Sequence, residues 1–477
     1  MADTLTIALA QINLHGGDID ANLATLRGAR AEAARLGADL VLTPEFAIAG
    51  APAEDRARDP GFVAACEAAI AALAADTADG GPAMVLGGPW RDGDKVYNAA
   101  CLLEGGKIVT RRAKHEVQWG GGFADKRGFD PGPSPGPVAF RGFRLGILIG
   151  EDWWPPAVAE TLQESGAEVL LSINASPFEV DQQASRLSLA VSRVVETGLP
   201  FVFLGPVGGQ GAAVFEGASF VLNADRSLAV QMPFFEAQIR LTEWTRQGDR
   251  LVCAPQTLAA EPGRLELLYR SRMLGLADHV RKNRLPGVVL GLSGDVASAL
   301  AAAIAVDALG AEKIRAFLLP GPDTDRASLE LAAACAAMLG LRSETIAIAG
   351  VMAACGMALA PIFADQPATS PPAGIEADCR LLLLLAISNQ LGTQLLTTGN
   401  PTRKPTEREC ANNHAGYPVL AGYPGLAGYP GLKNLDDTVS ADLCRWRNGQ
   451  RPTGALGPRG PVLPELILPH SFTGSIQ

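Results

Sequence analysis

A chain of 477 residues, 48% apolar and 19% charged, is too long for a single small binding module and too apolar for a disordered one. At roughly 150 residues per domain it builds two large domains or about three smaller ones. Fifty acidic against 40 basic side chains leave a net charge of −10, and that field argues against nucleic acid or an anionic membrane as a partner.

The segment from Met1 to Gln11 lacks a basic region followed by a hydrophobic one, and no apolar run approaches the ~20 residues that span a bilayer. These features predict a cytoplasmic protein without a membrane span. Eight cysteines without a CxxC pair, beside five histidines, predict reduced thiols and no metal site.

Thr4 to Ala10 alternates at period two and predicts a strand, followed by a helix from about Asp20 to Leu36 that Gly37 breaks. Ala38 to Leu42 is a buried strand leading into Thr43-Pro44-Glu45-Phe46. Further strands are expected at Ala83–Gly87, Arg144–Ile149, Glu168–Ile173, Phe201–Leu204 and Ser219–Leu222, with Ala- and Leu-rich helices between several of them. This alternation predicts a layered α/β domain. From Phe235 to Thr257 the chain is charged and less periodic, and Ala260-Glu261-Pro262-Gly263 is a turn cluster. A boundary there gives domains 1–260 and 261–477.

The second half opens with an amphipathic helix from Arg264 through Val280. Then come a strand at Val288–Leu290, a helix at about Ser298–Leu309, a strand at Ile314–Leu319, a helix at Ser328–Leu339 and a long helix around Ile375–Leu391. Three near-copies of Ala-Gly-Tyr-Pro-Gly-Leu occupy residues 415–432, too few for a solenoid and too rich in Gly and Pro for a helix or central strand. They read as an irregular loop or as a partner-binding arm with aromatic teeth.

Pro44-Glu45-Phe46, Tyr97-Asn98-Ala99-Ala100 followed by Lys114, and Asn174-Ala175-Ser176-Pro177-Phe178 together resemble the nitrilase-type carbon–nitrogen hydrolases. Ser293-Gly294 with Ser298, and Leu396-Thr397-Thr398-Gly399-Asn400, resemble the ATP-pyrophosphatase domain of the glutamine-dependent NAD synthetase family. The resemblance runs from Thr4 to about Pro464. It implies an α/β chain in which a nitrilase-like α-β-β-α sandwich precedes a doubly wound parallel-sheet domain.

In that family a Glu, a Lys and a Cys hydrolyse glutamine. The ammonia then displaces AMP from adenylated nicotinic acid adenine dinucleotide. A thiolate attacks the amide, a carboxylate moves its proton, and an ammonium stabilises the oxyanion.

Glu45 and Lys114 match the carboxylate and the ammonium, but the place of the nucleophile is taken by Gly150, in Gly150-Glu151-Asp152-Trp153-Trp154. No nearby Ser or Thr substitutes. The family's Pro-Asn-Tyr reads Gln118-Trp119-Gly120, and Gly211-Ala212 stand where acidic residues usually follow Gly208-Gly209-Gln210.

The pyrophosphate loop, Ser-Gly-Gly-(Ile/Val)-Asp-Ser in the family, is Ser293-Gly294-Asp295-Val296-Ala297-Ser298. Pro401-Thr402-Arg403 replace the Lys-Ser-Glu after Asn400, and a degenerate loop spans about 401–432. The family's Glu-Asn-Ile-Gln-Ala-Arg reads Ala373-Gly374-Ile375-Glu376-Ala377-Asp378.

The residues alone leave open whether Glu45 is a solvated loop acid, whether Lys114 belongs to the basic run Arg111–Lys114, and whether Asp295 caps a helix. Trp153-Trp154 read as packing rather than ligand stacking. The resemblance, with these losses, implies vestigial catalytic residues Glu45 and Lys114 and vestigial nucleotide-site residues Ser293, Gly294, Ser298 and Thr398. No cofactor is expected, with ATP and magnesium only for a synthetase site that still works. The expected role is that of a pseudoenzyme in a homo-oligomer or with other subunits; a nucleotide sensor and an active synthetase with unusual residues are the alternatives.

Overall fold

The computed structural model describes residues 3–51, 56–117, 128–211, 213–362, 373–397 and 437–467. Thr398, Gln118-Trp119-Gly120, Ala212, Pro401-Thr402-Arg403 and the hexapeptide copies lie outside the described residues. The chain divides into two compact units, Met1–Arg264 and Leu265–Gln477.

The first unit is a sandwich of two sheets. Its seven-stranded sheet contains β1 (Thr4–Gln11), β2 (Leu40–Leu42), β3 (Ala83–Asp92), β4 (Lys95–Glu104) and β5 (Lys107–Ala113). Strands β1, β2 and β3 run parallel, and β3, β4 and β5 continue as an antiparallel meander. The second sheet contains β6 (Val138–Phe140), β7 (Phe143–Ile149), β8 (Val169–Ile173) and β9 (Phe201–Leu204), with β7, β8 and β9 parallel. A short hairpin of β10 (Val207–Gln210) and β11 (Ala213–Glu216) precedes β12 (Phe220–Leu222) and β13 (Leu228–Gln231), which extend the second sheet.

Period-two alternation divides β1 between two cores. Ile7 and Leu9 face the other sheet with Ile147, Ile149, Leu171 and Val202, whereas Ala8 and Ala10 face an outer core. That outer core is covered by α1 (Ile19–Arg35) and α2 (Pro60–Asp76). The side chain of Asp18 caps α1 by accepting from Ala21 N at 3.0 Å. On the far side, α3 (Pro156–Glu164) and α4 (Gln182–Thr197) pack through Val158, Leu162, Ala190 and Val194 onto Phe201, Phe203 and Phe220, completing an α-β-β-α order.

Two expectations need correction. The charged stretch after Phe235 is strand β14 (Gln238–Gln247) followed by β15 (Arg250–Cys253), and β14 pairs antiparallel with β1 along its length. Thr242 and Trp244 of β14 are buried, while its arginines hide the alternation. Pro60–Asp79 is one helical stretch long and apolar enough to cross a bilayer, masked in the sequence by Glu67, Asp76 and Asp79. Here its Phe62, Val63, Cys66, Ile70 and Leu73 fill the outer core.

The second unit contains most of α5 (Arg264–Lys282) and a parallel four-stranded sheet. The sheet's chain order is β16 (Val288–Gly291), β17 (Ile314–Leu318), β18 (Arg342–Thr345) and β19 (Gln394–Leu395), and its spatial order is β18-β17-β16-β19. Helices α6 (Val296–Leu309) and α7 (Arg326–Met338) make the crossovers. Helices α8 (Ala349–Leu359) and α9 (Ala373–Leu391) pack on the face that carries Val289, Phe317 and Leu395. Helix α10 (Asp437–Gly449) is tied to α5 and α6 through buried Asp307, which accepts from Tyr269 Oη at 2.6 Å and from Arg447 Nη2 at 3.0 Å.

Candidate active site

Parallel strands end at one edge of the sandwich, and there the chain must turn away from the sheet. Strand β2 ends at Leu42 and delivers Glu45 just before Phe46, which has φ of +55°. Strand β7 ends at Ile149 and delivers Gly150, with φ of +51°. A left-handed backbone favours glycine and strains most other residues.

Lys114 follows β5, and its N–H donates to Asn98 O on neighbouring β4 at 2.7 Å. The hairpin thus sets Asn98 and Lys114 side by side.

These pieces converge. Glu45 is 4% exposed and Lys114 1% exposed, so neither is a solvated surface charge, contrary to one reading of each. Lys114 Nζ lies 3.2 Å from Glu45 Oε1, which also accepts from Asn98 Nδ2 at 2.7 Å. The same ammonium is ion-paired with Glu151 Oε2.

A Cβ built on Gly150 falls 2.5 Å from Lys114 Nζ and 2.6 Å from Glu45 Oε1. Position 150 therefore aims at the space between a carboxylate and an ammonium, where a nucleophile needs its base and its oxyanion partner. The space is closed by the ion pair itself.

Asp152 fastens this arrangement from beneath. Its Oδ1 accepts from His115 N at 2.9 Å and Glu116 N at 2.8 Å, and its Oδ2 accepts from Ile149 N at 3.1 Å. Arg112 Nη2 pairs with Oδ2 at 2.7 Å, both side chains being buried. Burial holds the Arg112 guanidinium below its ordinary pKa, and Asp152 offsets part of that.

Sequence reasoning did not single out Asn98, Arg112, Glu151 or Asp152 as site residues. Their signal is proximity to Lys114 and Gly150 in the chain, which becomes specific only once β5 and β7 are placed. Trp153 is buried with its ring 5.3 Å from Phe201, and its Nε1 donates to Asn174 Oδ1 at 3.0 Å, whereas Trp154 is exposed. Ser172 is buried and bonded to Asn174 Nδ2.

In the second unit Ser293, Gly294 and Ser298 come together at the carboxyl end of β16 and the start of α6. Gly294 has φ of +86°, and a Cβ there would collide with Ser328 O. Asp295 is the N-cap of α6: its Oδ1 accepts from Ser298 N at 2.7 Å, and its Oδ2 lies 2.8 Å from Ser293 Oγ. The carboxylate occupies the first turn, where the helix dipole and exposed N–H groups favour an anion. Nearby, Arg380 Nε donates to Leu319 O at 2.9 Å and its Nη2 lies 2.5 Å from Glu376 Oε1.

Comparison with known proteins places both units. Residues 6–248 match the carbon-nitrogen hydrolase family, and residues 268–406 match the NAD synthase family. The chain is 39% identical over 468 residues to the glutamine-dependent NAD(+) synthetase of Rhodobacter capsulatus, spanning 98% of this chain and 83% of that one. It is 30% identical over 464 residues to the synthetase of the same name from Acinetobacter baylyi, spanning 97% and 82%. The glutamine-dependent NAD+ synthetase of Acinetobacter baumannii, solved with ADP, has a similar fold at TM-score 0.85 and 29% identity, over 98% of this chain and 85% of that chain. With both family matches in one chain and 39% identity over nearly its full length, this protein belongs to the glutamine-dependent NAD synthetase family.

Proposed function

We propose that this chain is a catalytically silent member of its family, retained for a structural, assembly or regulatory role. It neither hydrolyses glutamine nor forms NAD. The observation that carries this reading is Gly150: position 150 aims between Glu45 and Lys114 but has no side chain, and Lys114 is paired with both Glu45 and Glu151.

Without a nucleophile no covalent acyl intermediate forms, and what remains of such a site is binding and oxyanion stabilisation alone. Asn98 and Asp152 still hold Glu45 and the Lys114 segment in place, so the scaffold has outlasted the chemistry it served.

The second unit supports the same reading. Relatives carry the name of a synthetase, and one is solved with ADP. The described residues of this chain do not fit a polyphosphate at α6: Asp295 already satisfies Ser298 N, and its charge faces any incoming phosphate. Two unit charges ~4 Å apart repel by several kcal/mol at an effective dielectric of ~20. Ala297 supplies no carboxylate for a metal–nucleotide complex.

The preserved property is then the folded body and its surfaces, which suits assembly with copies of itself or with other subunits. The test is ammonia release from glutamine by the purified protein at a concentration sufficient to detect one turnover per hour. The expected result is no release above a heat-denatured control, together with a defined oligomer in sedimentation velocity. Steady ammonia release sinks the reading.

A further inference from the structure

Cys355 on α8 and Cys379 on α9 face each other in the second unit. Their sulfurs are 3.9 Å apart, with the Cys379 S–H donating to Cys355 Sγ. The seven described cysteines are all free thiols. Six of them are buried, and Cys355 alone among the described ones is partly exposed. The partly exposed thiol is therefore in contact with a buried one.

We propose that Cys355 and Cys379 are an oxidant-reactive pair, in which Cys355 is the peroxide-sensing thiol and Cys379 the resolving thiol, and that their disulfide fastens α8 to α9.

The chemistry balances with a hydroperoxide as the oxidant. The Cys355 thiolate attacks one peroxide oxygen, the O–O bond breaks, and Cys355 becomes a sulfenic acid while hydroxide leaves and takes up the thiol's proton as water. Cys379 sulfur then attacks the sulfenic sulfur. An S–S bond forms, the S–O bond breaks, and the Cys379 proton leaves with the departing hydroxide as a second water. Two electrons pass from the two sulfurs to the peroxide.

The geometry supports each step. Access decides which thiol is oxidised first, and contact decides which one resolves it. Bond formation requires the sulfurs to come roughly 1.9 Å closer. Helix α8 can supply that movement, because none of its residues is fully buried and it is held mainly through partly buried Val351, Met352 and Cys355. In chains that keep their thiols reduced, disulfides of this kind are transient and serve redox sensing.

The experiment oxidises the full chain with hydrogen peroxide and stops the reaction with catalase. Remaining thiols are blocked with N-ethylmaleimide in denaturant, and unreduced peptides are read by mass spectrometry. Met357, on the same helix and 73% exposed, reports the oxidant dose through its sulfoxide.

The expected product links the Cys355 and Cys379 peptides with loss of two hydrogens and is reversed by dithiothreitol. Its unfolding midpoint rises by roughly 5–10 °C, in line with a cross-link that closes a loop of this length. In Cys379→Ser the link is lost and Cys355 is trapped by dimedone as the sulfenic acid; in Cys355→Ser, Cys379 stays reduced at the same dose. The proposal is overturned if both thiols still carry maleimide once Met357 is a sulfoxide, or if Cys355 pairs with a different cysteine such as Cys410.

Discussion

Lys114 Nζ stands 3.2 Å from Glu45 Oε1, on the spot toward which a side chain at position 150 would point. The two residues are therefore engaged with each other. Lys114 is the one cation paired with both Glu45 and Glu151 in a site with almost no solvent, and Asn98 donates a further hydrogen bond to Glu45. A buried pair of this kind adds little to stability beyond an apolar substitute, yet breaking it by removing one partner is strongly destabilising.

Lys114→Met tests that balance. It leaves the Glu45 and Glu151 carboxylates facing each other without a cation, and it is expected to lower the unfolding free energy by roughly 2–4 kcal/mol. Adding Glu45→Gln to it recovers about half, because the remaining charge is then Glu151 alone, which reaches solvent. Urea denaturation of the three proteins measures this. A single-variant loss below ~0.5 kcal/mol, the range of ordinary surface substitutions, contradicts the buried pairing.

Gly150→Cys restores the missing thiol but meets two obstacles. The residue has φ of +51°, and its Cβ lands within contact of Lys114 and Glu45, which must retreat and give up their pairing. A non-glycine residue in the left-handed region is strained by roughly 1–2 kcal/mol. The variant is expected to be less stable than the parent by at least that much and to release no ammonia from glutamine. Ammonia release from this single change shows that the pocket is otherwise intact.

Much of the first unit is legible in its sequence, because its inner strands carry a simple alternation or a short apolar run. Ile7 and Leu9, Leu40 to Leu42 and Leu145 to Ile149 announce their own burial. Strand β14 is not legible: Arg240 and Arg246 interrupt its pattern, and its burial rests on Thr242 and Trp244, a weak signal without β1 beside it. Lys114 is hidden for a similar reason. In the run Arg111-Arg112-Ala113-Lys114 it reads as surface charge, whereas Arg111 lies over the Trp90 ring, Arg112 pairs with Asp152 and Lys114 pairs with Glu45. These partners are distant in sequence, and nothing local records them.

Asp295→Asn separates the charge at α6 from its capping role, since Asn caps a helix about as well as Asp. Stability is expected to stay within ~0.5 kcal/mol of the parent, whereas Asp295→Ala lowers it by about 1 kcal/mol. With the carboxylate gone, pyrophosphate and ATP bind at least about tenfold more tightly in calorimetry, a gain of ~1.4 kcal/mol that is a conservative share of the repulsion for an exposed group. Equal affinities for parent and Asn variant contradict the assignment of Asp295 as the group that repels anions.

The buried thiols set an alkaline limit. Burial pushes Cys66, Cys101, Cys253, Cys335 and Cys444 each up to about 12. Their native forms keep a proton that the unfolded chain begins to lose near pH 8.5. The native state then binds more protons than the unfolded one, so stability falls as pH rises, by up to ~1.4 kcal/mol per pH unit for each thiol.

Lys282 works the other way. Burial lowers its pKa to about 8, so between pH 8 and the unfolded value near 10.4 its contribution rises with pH and offsets one of the five. Urea midpoints are expected to fall steeply from pH 8.5 to 10. A flat profile contradicts the burial of these thiols.

The most direct test of catalytic silence bypasses Gly150 altogether. Purified protein is given nicotinic acid adenine dinucleotide, ATP, magnesium and a saturating ammonium salt, and NAD is measured by an enzymatic cycling assay. The predicted result is no NAD above the protein-free control, because Asp295 and Ala297 leave no seat for the polyphosphate. Sustained NAD formation from free ammonium would contradict the account, since it would show that the second unit works.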